Sequence, residues 1–459
     1  MAEMTAPVAV GDRLTVTIEG YAAEGEGVGR YEGFTVFVPQ TLVGERVETE
    51  IELVKKNYAR GRLLALQEAS PHRVDPACSL YTQCGGCQLL HLSYEGQLTM
   101  KRQRVVDTLQ RIGGLAEVTV HPVIGMAEPW HYRNKVQYPF GLADNRIVVG
   151  CYQKGTHRVV PTDTCAIQHE LNSKVMQAVR KLAQKYKLTV YDERTGEGFL
   201  RHVLVKNAFG TGEVMVVLVT NDAEFAKGPE LAQALAKACP AVKSVVQNIN
   251  TTRGNTVLGS ESRTLWGADR ITDRLGDLEF KISANSFFQV NPKQTEVLYE
   301  KAVEYAGLTG KETVLDAYCG VGSLTLFLAR RAKEVYGVEA VEPAIRDAEE
   351  NAAHNGIANV RFIVGRTEKV LPKLAAIGTG FDVAVVDPPR AGCDPEVLKT
   401  MAKVGVGRVV YVSCNPSTLA RDLKILAELG YVTKEVQPVD MFPHTFHVEC
   451  VTLMSRVEE

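Results

Sequence analysis

A chain of 459 residues, 45% hydrophobic and 23% charged, is long enough for two or three domains with ample core. Its 52 basic and 54 acidic side chains leave a net charge of −2, which excludes a bulk polycation, so any nucleic-acid surface must be local. MAEMTAPVAVGDR has no basic stretch leading into an apolar run, and no run approaches the roughly 20 residues of a membrane span, so a cytoplasmic protein with no membrane role is expected.

Residues 7–66 alternate as short strands do: LTVTI (14–18), FTVFVP (34–39) and RVETEIELV (46–54), parted by Gly-rich turns such as EGEGVGR. Strands at this spacing predict a small barrel of the OB type. Lys55, Lys56, Arg60 and Arg62 gather around Tyr58 with no acid beside them in sequence, which suits either a phosphate-and-stacking patch or a solvated strand end. Next, Cys78, Cys84 and Cys87 stand in a C-x5-C-x2-C pattern whose Gly85-Gly86 allows a sharp turn. In a cytoplasmic chain such thiols point to zinc or an iron–sulfur cluster rather than disulfides. A fourth ligand is needed, and Cys165 is the first candidate, with Cys151 as the alternative. Residues 94–114 predict an amphipathic helix ending at Gly113-Gly114, with Lys101, Arg102 and Arg104 as a basic face. Mixed α/β structure is predicted over 115–285, with Arg133, Lys135, Arg194, Arg201, His202 and Lys206 near strand ends and aromatic neighbours. That combination suits single-stranded RNA, whose bases stack while cations hold phosphates.

From residue 286 the chain alternates strand and helix. Asn291 is the expected N-cap of a helix opening with Pro292, and Gln294 completes a capping box. The remaining order predicts a doubly wound sheet closed by a C-terminal hairpin. VLDAYCGVGSL places Asp316 after a buried strand and glycines before a helix, a loop that suits NAD or S-adenosylmethionine. The loop is shorter than a full dinucleotide fingerprint, and Glu339 ends the next strand where a ribose would lie; both features favour S-adenosylmethionine. Two prolines fix the turn after Asp387 in DPPR. Cys414 ends the apolar run VVYVS, where open α/β sheets carry reactive groups, and Glu449 lies in HTFHVEC.

Together FFQVN, DAYCGVGS, DPPR, SCNPSTLARD and DMFPHTFHVE resemble the S-adenosylmethionine-dependent RNA uracil-C5 methyltransferases, and residues 1–67 resemble their TRAM domain. The resemblance implies a Rossmann-like class I methyltransferase domain over 286–459. It also implies a central α+β domain over 68–285 carrying a [4Fe–4S] cluster on Cys78, Cys84, Cys87 and Cys165. Gln289, Tyr318, Glu339 and Asp387 are then contacts to S-adenosylmethionine, and so is Ser323, where several relatives carry asparagine. Asp387 holds the uracil ring and Arg390 supports the site. Cys414 is the nucleophile that adds to C6, and Glu449 is the base that removes the C5 proton, with His444 and His447 as rival bases. Relatives with both TRAM domain and cluster mostly act on 23S ribosomal RNA, so a monomeric enzyme making 5-methyluridine there is expected. The same chemistry on tRNA is the alternative, because some archaeal relatives share this architecture. Cytosine-C5 methylation would use a second cysteine near the DPP motif, a position Cys393 could fill. A metal-bearing RNA-binding protein with an inactive transferase domain is the reading from another class, and the intact Cys414 and Glu449 argue against it.

Overall fold

A computed structural model describes residues 6–457. Strands β1 (Arg13–Tyr21), β2 (Gly27–Tyr31), β3 (Phe34–Val38), β4 (Arg46–Val54) and β5 (Tyr58–Glu68) close a barrel in the order β1-β2-β3-β5-β4. Alternation drives it: Leu14, Val16 and Ile18 point inward from β1 to meet Val36, Val38, Val47 and Ile51. The segment EGEGVGR turns at Gly25, as expected, but Gly27 and Gly29 already belong to β2. A Cβ on Gly29 would lie 2.3 Å from the Thr17 carbonyl, so only glycine lets β2 approach β1. Around Tyr58, Lys55 and Lys56 are exposed, whereas the two arginines have acid partners. Arg60 pairs with Glu26, and Arg62 reaches Glu50 at 2.7 Å and Glu52 at 3.1 Å, acids that pairing across the barrel supplies.

Helix α1 (Tyr94–Thr108) is capped by Ser93, whose Oγ accepts from the Gly96 N–H, and after one wider turn it stops at Gly114 in the left-handed region, φ 68°. Its expected basic face is not one. Lys101 is 1% exposed and bonds Asp440 and the Phe442 carbonyl; Arg102 donates to the Val120 carbonyl and Arg104 to that of Phe446. These cations pin one stretch of backbone, residues 440–446, and the short strand β6 (Thr119–Val120).

The central sheet contains β7 (Lys135–Ala143), β8 (Arg146–Tyr152), β9 (Val159–Pro161), β10 (Leu200–Asn207), β11 (Val214–Thr220), β12 (Val242–Ile249) and β13 (Glu261–Gly267), in the order β13-β12-β11-β10-β7-β8-β9. Helices α2 (Glu170–Lys185) and α3 (Gly228–Ala238) cover it. Strands β10 and β11 are buried along their whole length, which explains the run VMVVLVT. Of the side chains expected to face RNA, Arg201 and Lys206 are buried with their heads tied to backbone, and His202 is 9% exposed. Arg201 donates to the carbonyls of Asn250 and Thr252, each at 2.7 Å. Lys206 donates to those of Ser283 and Ser286, and burial lowers its pKa to about 7. His202 packs beside Tyr152. Arg194 is exposed but bonded to Asp192, and Lys135 lies over the Phe287 ring.

The ribbon β14 (Arg270–Leu275) with β15 (Leu278–Ser283) leads into α4 (Pro292–Ala306). Asn291 caps α4 as expected, but Gln294 does not complete the box: its amide donates to the carbonyls of Ile124 and Asp440 instead. Then follow β16 (Thr313–Ala317), α5 (Ser323–Ala329), β17 (Glu334–Glu339), α6 (Glu342–His354), β18 (Val360–Val364), α7 (Thr367–Ala376), β19 (Val383–Val386), α8 (Pro395–Lys403), β20 (Arg408–Ser413), α9 (Pro416–Glu428), β21 (Tyr431–Val439) and β22 (Glu449–Arg456). The sheet order is β18-β17-β16-β19-β20-β22-β21-β6, parallel from β18 to β20 and antiparallel through the hairpin β21-β22. β6 therefore adds a strand from far upstream to this sheet's edge. No helix among the described residues is long and apolar enough to cross a membrane.

Candidate active site

Strands β16, β17, β19 and β20 all end on one edge, and the residues following them line a cavity of about 770 Å³. Gln289, Tyr318, Ser323, Glu339, Asp387, Arg390, Cys414, His447 and Glu449 all border it. Tyr318 is held at φ 68°, an uncommon conformation for a tyrosine, by its N–H to the Val338 carbonyl, and Gly322 at φ 78° opens α5. Glu339 accepts from the backbone N–H groups of Gly320 (3.2 Å) and Val341 (2.9 Å), which fixes the glycine loop against β17. Ser323 shares a 2.8 Å hydrogen bond with Tyr299. Asp316 accepts from Thr325 through one oxygen, while the other is buried with no partner; burial raises its pKa to about 7. A free acceptor at the cavity wall suits a cationic ligand group.

Two loops meet at Cys414. Asn415 donates from its side chain to the Arg390 carbonyl (3.1 Å), accepts from the Ser417 N–H, and so joins the SCNP turn to the DPPR turn while capping α9. Burial, then the carboxylates of Glu449 and Asp387, push the Cys414 thiol up to about 11, against the pull of Arg390. Burial lifts Asp387 to about 7; burial together with Asp387 lifts Glu449 to about 8. Both carboxyls thus hold protons in the folded protein at pH values where the unfolded chain has lost them, so stability falls as pH rises from about 4.5 towards 8. Glu449→Gln, which cannot ionise, is expected to raise Tm clearly at pH 8 and little at pH 5; equal shifts at both would contradict the burial of a titrating carboxyl.

The rival candidates separate. His447 borders the cavity, its pKa lowered to about 4 by burial and neighbouring arginines. His444 is corrected: it stacks on Trp130 at 3.9 Å, bonds Gln97, and does not border the cavity. Cys393 also lies outside the lining, with its N–H given to Asp422 and Tyr411. Sequence reasoning missed Tyr299 and the start of α7, where Thr367 and Glu368 border the cavity after β18; an acid following a strand in VGRTE was the available signal.

A second cavity, about 430 Å³, is lined by Cys78, Cys84, Cys87, Cys151 and Cys165. Among the described residues, no group of three His, Cys, Asp or Glu side chains is placed to hold a metal ion, zinc or iron alike. Burial and mutual repulsion raise the pKa of Cys87, and burial raises that of Cys165. Cys84 shifts the other way: a hydrogen bond from Cys151 lowers its pKa to about 6.

A family profile described as tRNA (Uracil-5-)-methyltransferase matches residues 93–457, and one described as TRAM domain matches residues 7–64. Uncharacterised RNA methyltransferases of Halalkalibacterium halodurans and Bacillus cereus are each 51% identical to the chain, covering 99% and 100% of it and 99% of their own lengths. The solved structure of Pyrococcus abyssi tRNA (uracil-54, C5)-methyltransferase in complex with S-adenosyl-L-homocysteine superposes with a TM-score of 0.77 at 30% identity, over 96% of this chain and 100% of that one. The chain therefore belongs to the family of S-adenosylmethionine-dependent RNA uracil-5-methyltransferases and carries their TRAM domain as a closed N-terminal barrel.

Proposed function

We propose that this enzyme methylates uridine C5 in 23S ribosomal RNA by covalent catalysis through Cys414. The observation that carries the mechanism is the meeting of Cys414, Asp387 and Glu449 at one cavity, each on a different strand end. Uracil C5 is a weak nucleophile, so the Cys414 thiolate first bonds C6, and the displaced electron pair becomes an enolate across C5 and O4. C5 then attacks the methyl carbon of S-adenosylmethionine, the second substrate, and the methyl–sulfur bond breaks to release S-adenosylhomocysteine. Glu449 then accepts the C5 proton, the C5–C6 double bond re-forms, and the sulfur leaves C6. Arg390 is the cation that favours the thiolate, and it also opposes the upward shift of Glu449. Gln289, Tyr318, Ser323 and Glu339 hold the methyl donor, with Asp316 offering its free oxygen.

The choice of ribosomal RNA rests on the pairing of a TRAM barrel with a thiol cavity in one chain. The tRNA reading is favoured instead by the named activity of the Pyrococcus abyssi structure. Mapping 5-methyluridine in both RNAs after deletion of the gene separates them: loss from 23S ribosomal RNA alone is expected, and loss from tRNA alone overturns the choice.

Cys78, Cys84, Cys87 and Cys165 would hold a [4Fe–4S] cluster that pins their loops together and supplies the positive charge their thiolates need. Anaerobically purified protein is expected to be brown, with about four irons per chain. Stoichiometric zinc without visible absorbance would contradict the cluster.

A further inference from the structure

A third cavity, about 580 Å³, opens beyond the thiols and belongs neither to the catalytic pocket nor to the proposed cluster ligands. Its wall is the turn after β8, where Tyr152 and His157 stack at 5.1 Å with their planes 22° apart. Glu193 fixes the pair: it accepts from the Tyr152 hydroxyl and meets the His157 ring. The His157 side chain is 58% exposed, so it remains open to a further ring. The turn tip is Gly155 at φ 70°, with open space where a Cβ would stand. Lys154 lines the opening and pairs with Glu26 at 3.1 Å, and Arg158 is exposed on the same turn.

At the back stands His202, edge-on to Tyr152. It is 9% exposed, and its Nδ1 has no hydrogen-bond partner among the described residues. Burial and Arg201 hold its pKa near 4, so the ring is neutral and offers one donor and one acceptor nitrogen. An unpaired imidazole nitrogen at this depth costs stability unless a ligand or water meets it.

A flat stacking face, a neutral hydrogen-bonding ring behind it and cations at the rim match a nucleobase with its phosphate. The place matches too. The catalytic and thiol cavities share Val290, and the thiol cavity shares Gln137 and Cys151 with this one. Strand β7 lines the thiol cavity and this one, and its Lys135 lies over the ring of Phe287, which borders the catalytic cavity.

We infer that this cavity binds an unpaired base of the substrate RNA, flanking the modified uridine, stacked on His157 with His202 as its hydrogen-bond partner. The inference rests on the RNA reading above and adds a second base site to it. The test uses the full chain with ribosomal RNA transcripts in which 4-thiouridine partly replaces uridine. After irradiation and digestion, a cross-linked peptide containing Tyr152 or His157 is expected. His157→Ala is expected to weaken RNA binding about tenfold, whereas His157→Phe, which keeps the stack, largely retains it. The salt slope of binding stays unchanged, since no phosphate contact is removed. No cross-link in this turn together with unchanged affinity for His157→Ala would overturn the inference. That result alongside intact methyl transfer leaves the proposed reaction standing; absence of methyl transfer to any RNA would sink the reaction itself.

Discussion

Glu449→Gln enzyme, given substrate RNA and S-adenosylmethionine, accumulates RNA bound covalently through Cys414 with the methyl group already on the base. The glutamine cannot accept the C5 proton, so addition and transfer proceed and elimination stalls. Cys414→Ala yields neither product nor adduct, because nothing adds to C6. Each variant is expected to lose at least 1,000-fold in turnover, as groups acting in one covalent sequence do. Denaturing gels with labelled RNA read both outcomes. A Glu449→Gln enzyme that released methylated RNA at the wild-type rate would move the base to His447, the one rival histidine bordering the cavity. The pH profile follows from the same groups. Glu449 near 8 and Cys414 near 11 must both lose protons to act, so kcat/KM is expected to climb between pH 6 and 9. An enzyme already at its plateau at pH 6 would show that RNA binding does not meet these groups in their buried, protonated state.

Lys101→Met is expected to cost about 3–5 kcal/mol of stability, the penalty for leaving Asp440 buried without its cation. Lys101 and Asp440 are 1% and 0% exposed, and Lys101 also donates to the Phe442 carbonyl at 3.0 Å. The pair ties α1 to the segment that carries Phe442, His447 and Glu449, so turnover should fall with stability although Lys101 does not border the cavity. Removing both charges, as Lys101→Met with Asp440→Leu, restores part of the loss because no lone charge remains. Urea midpoints measure it. A single variant as stable as wild type would show the pair to be replaceable by local rearrangement.

Much of the site could be read from sequence because α/β folds advertise it. An apolar strand that ends abruptly in Asp-Pro-Pro, Ser-Cys-Asn-Pro or a glycine loop marks the carboxyl edge where ligands bind, and the structure places Asp387, Cys414 and Tyr318 at one cavity. The hairpin returning Glu449 to that edge was legible as two apolar runs. What local pattern cannot reveal is the partner of a charge. Lys101 reads as a helix-surface lysine until Asp440, 339 positions away, is placed against it. Arg201 and Lys206 read as strand-end cations until carbonyls from distant turns close over them. Arg60 and Arg62 acquire acids only when the barrel closes, and Gln294 leaves its capping role because two unrelated carbonyls need a donor. β6 escaped notice because two residues carry no period, and its pairing with β21 spans most of the chain.

The chemistry itself is tested most directly by identifying the product. Purified enzyme is incubated with methyl-labelled S-adenosylmethionine and ribosomal RNA lacking 5-methyluridine, and the RNA is then digested to nucleosides. The covalent uracil mechanism predicts that all the label co-migrates with 5-methyluridine and that none appears with Cys414→Ala. Label in 5-methylcytidine or on ribose, or undiminished transfer by Cys414→Ala, would contradict it.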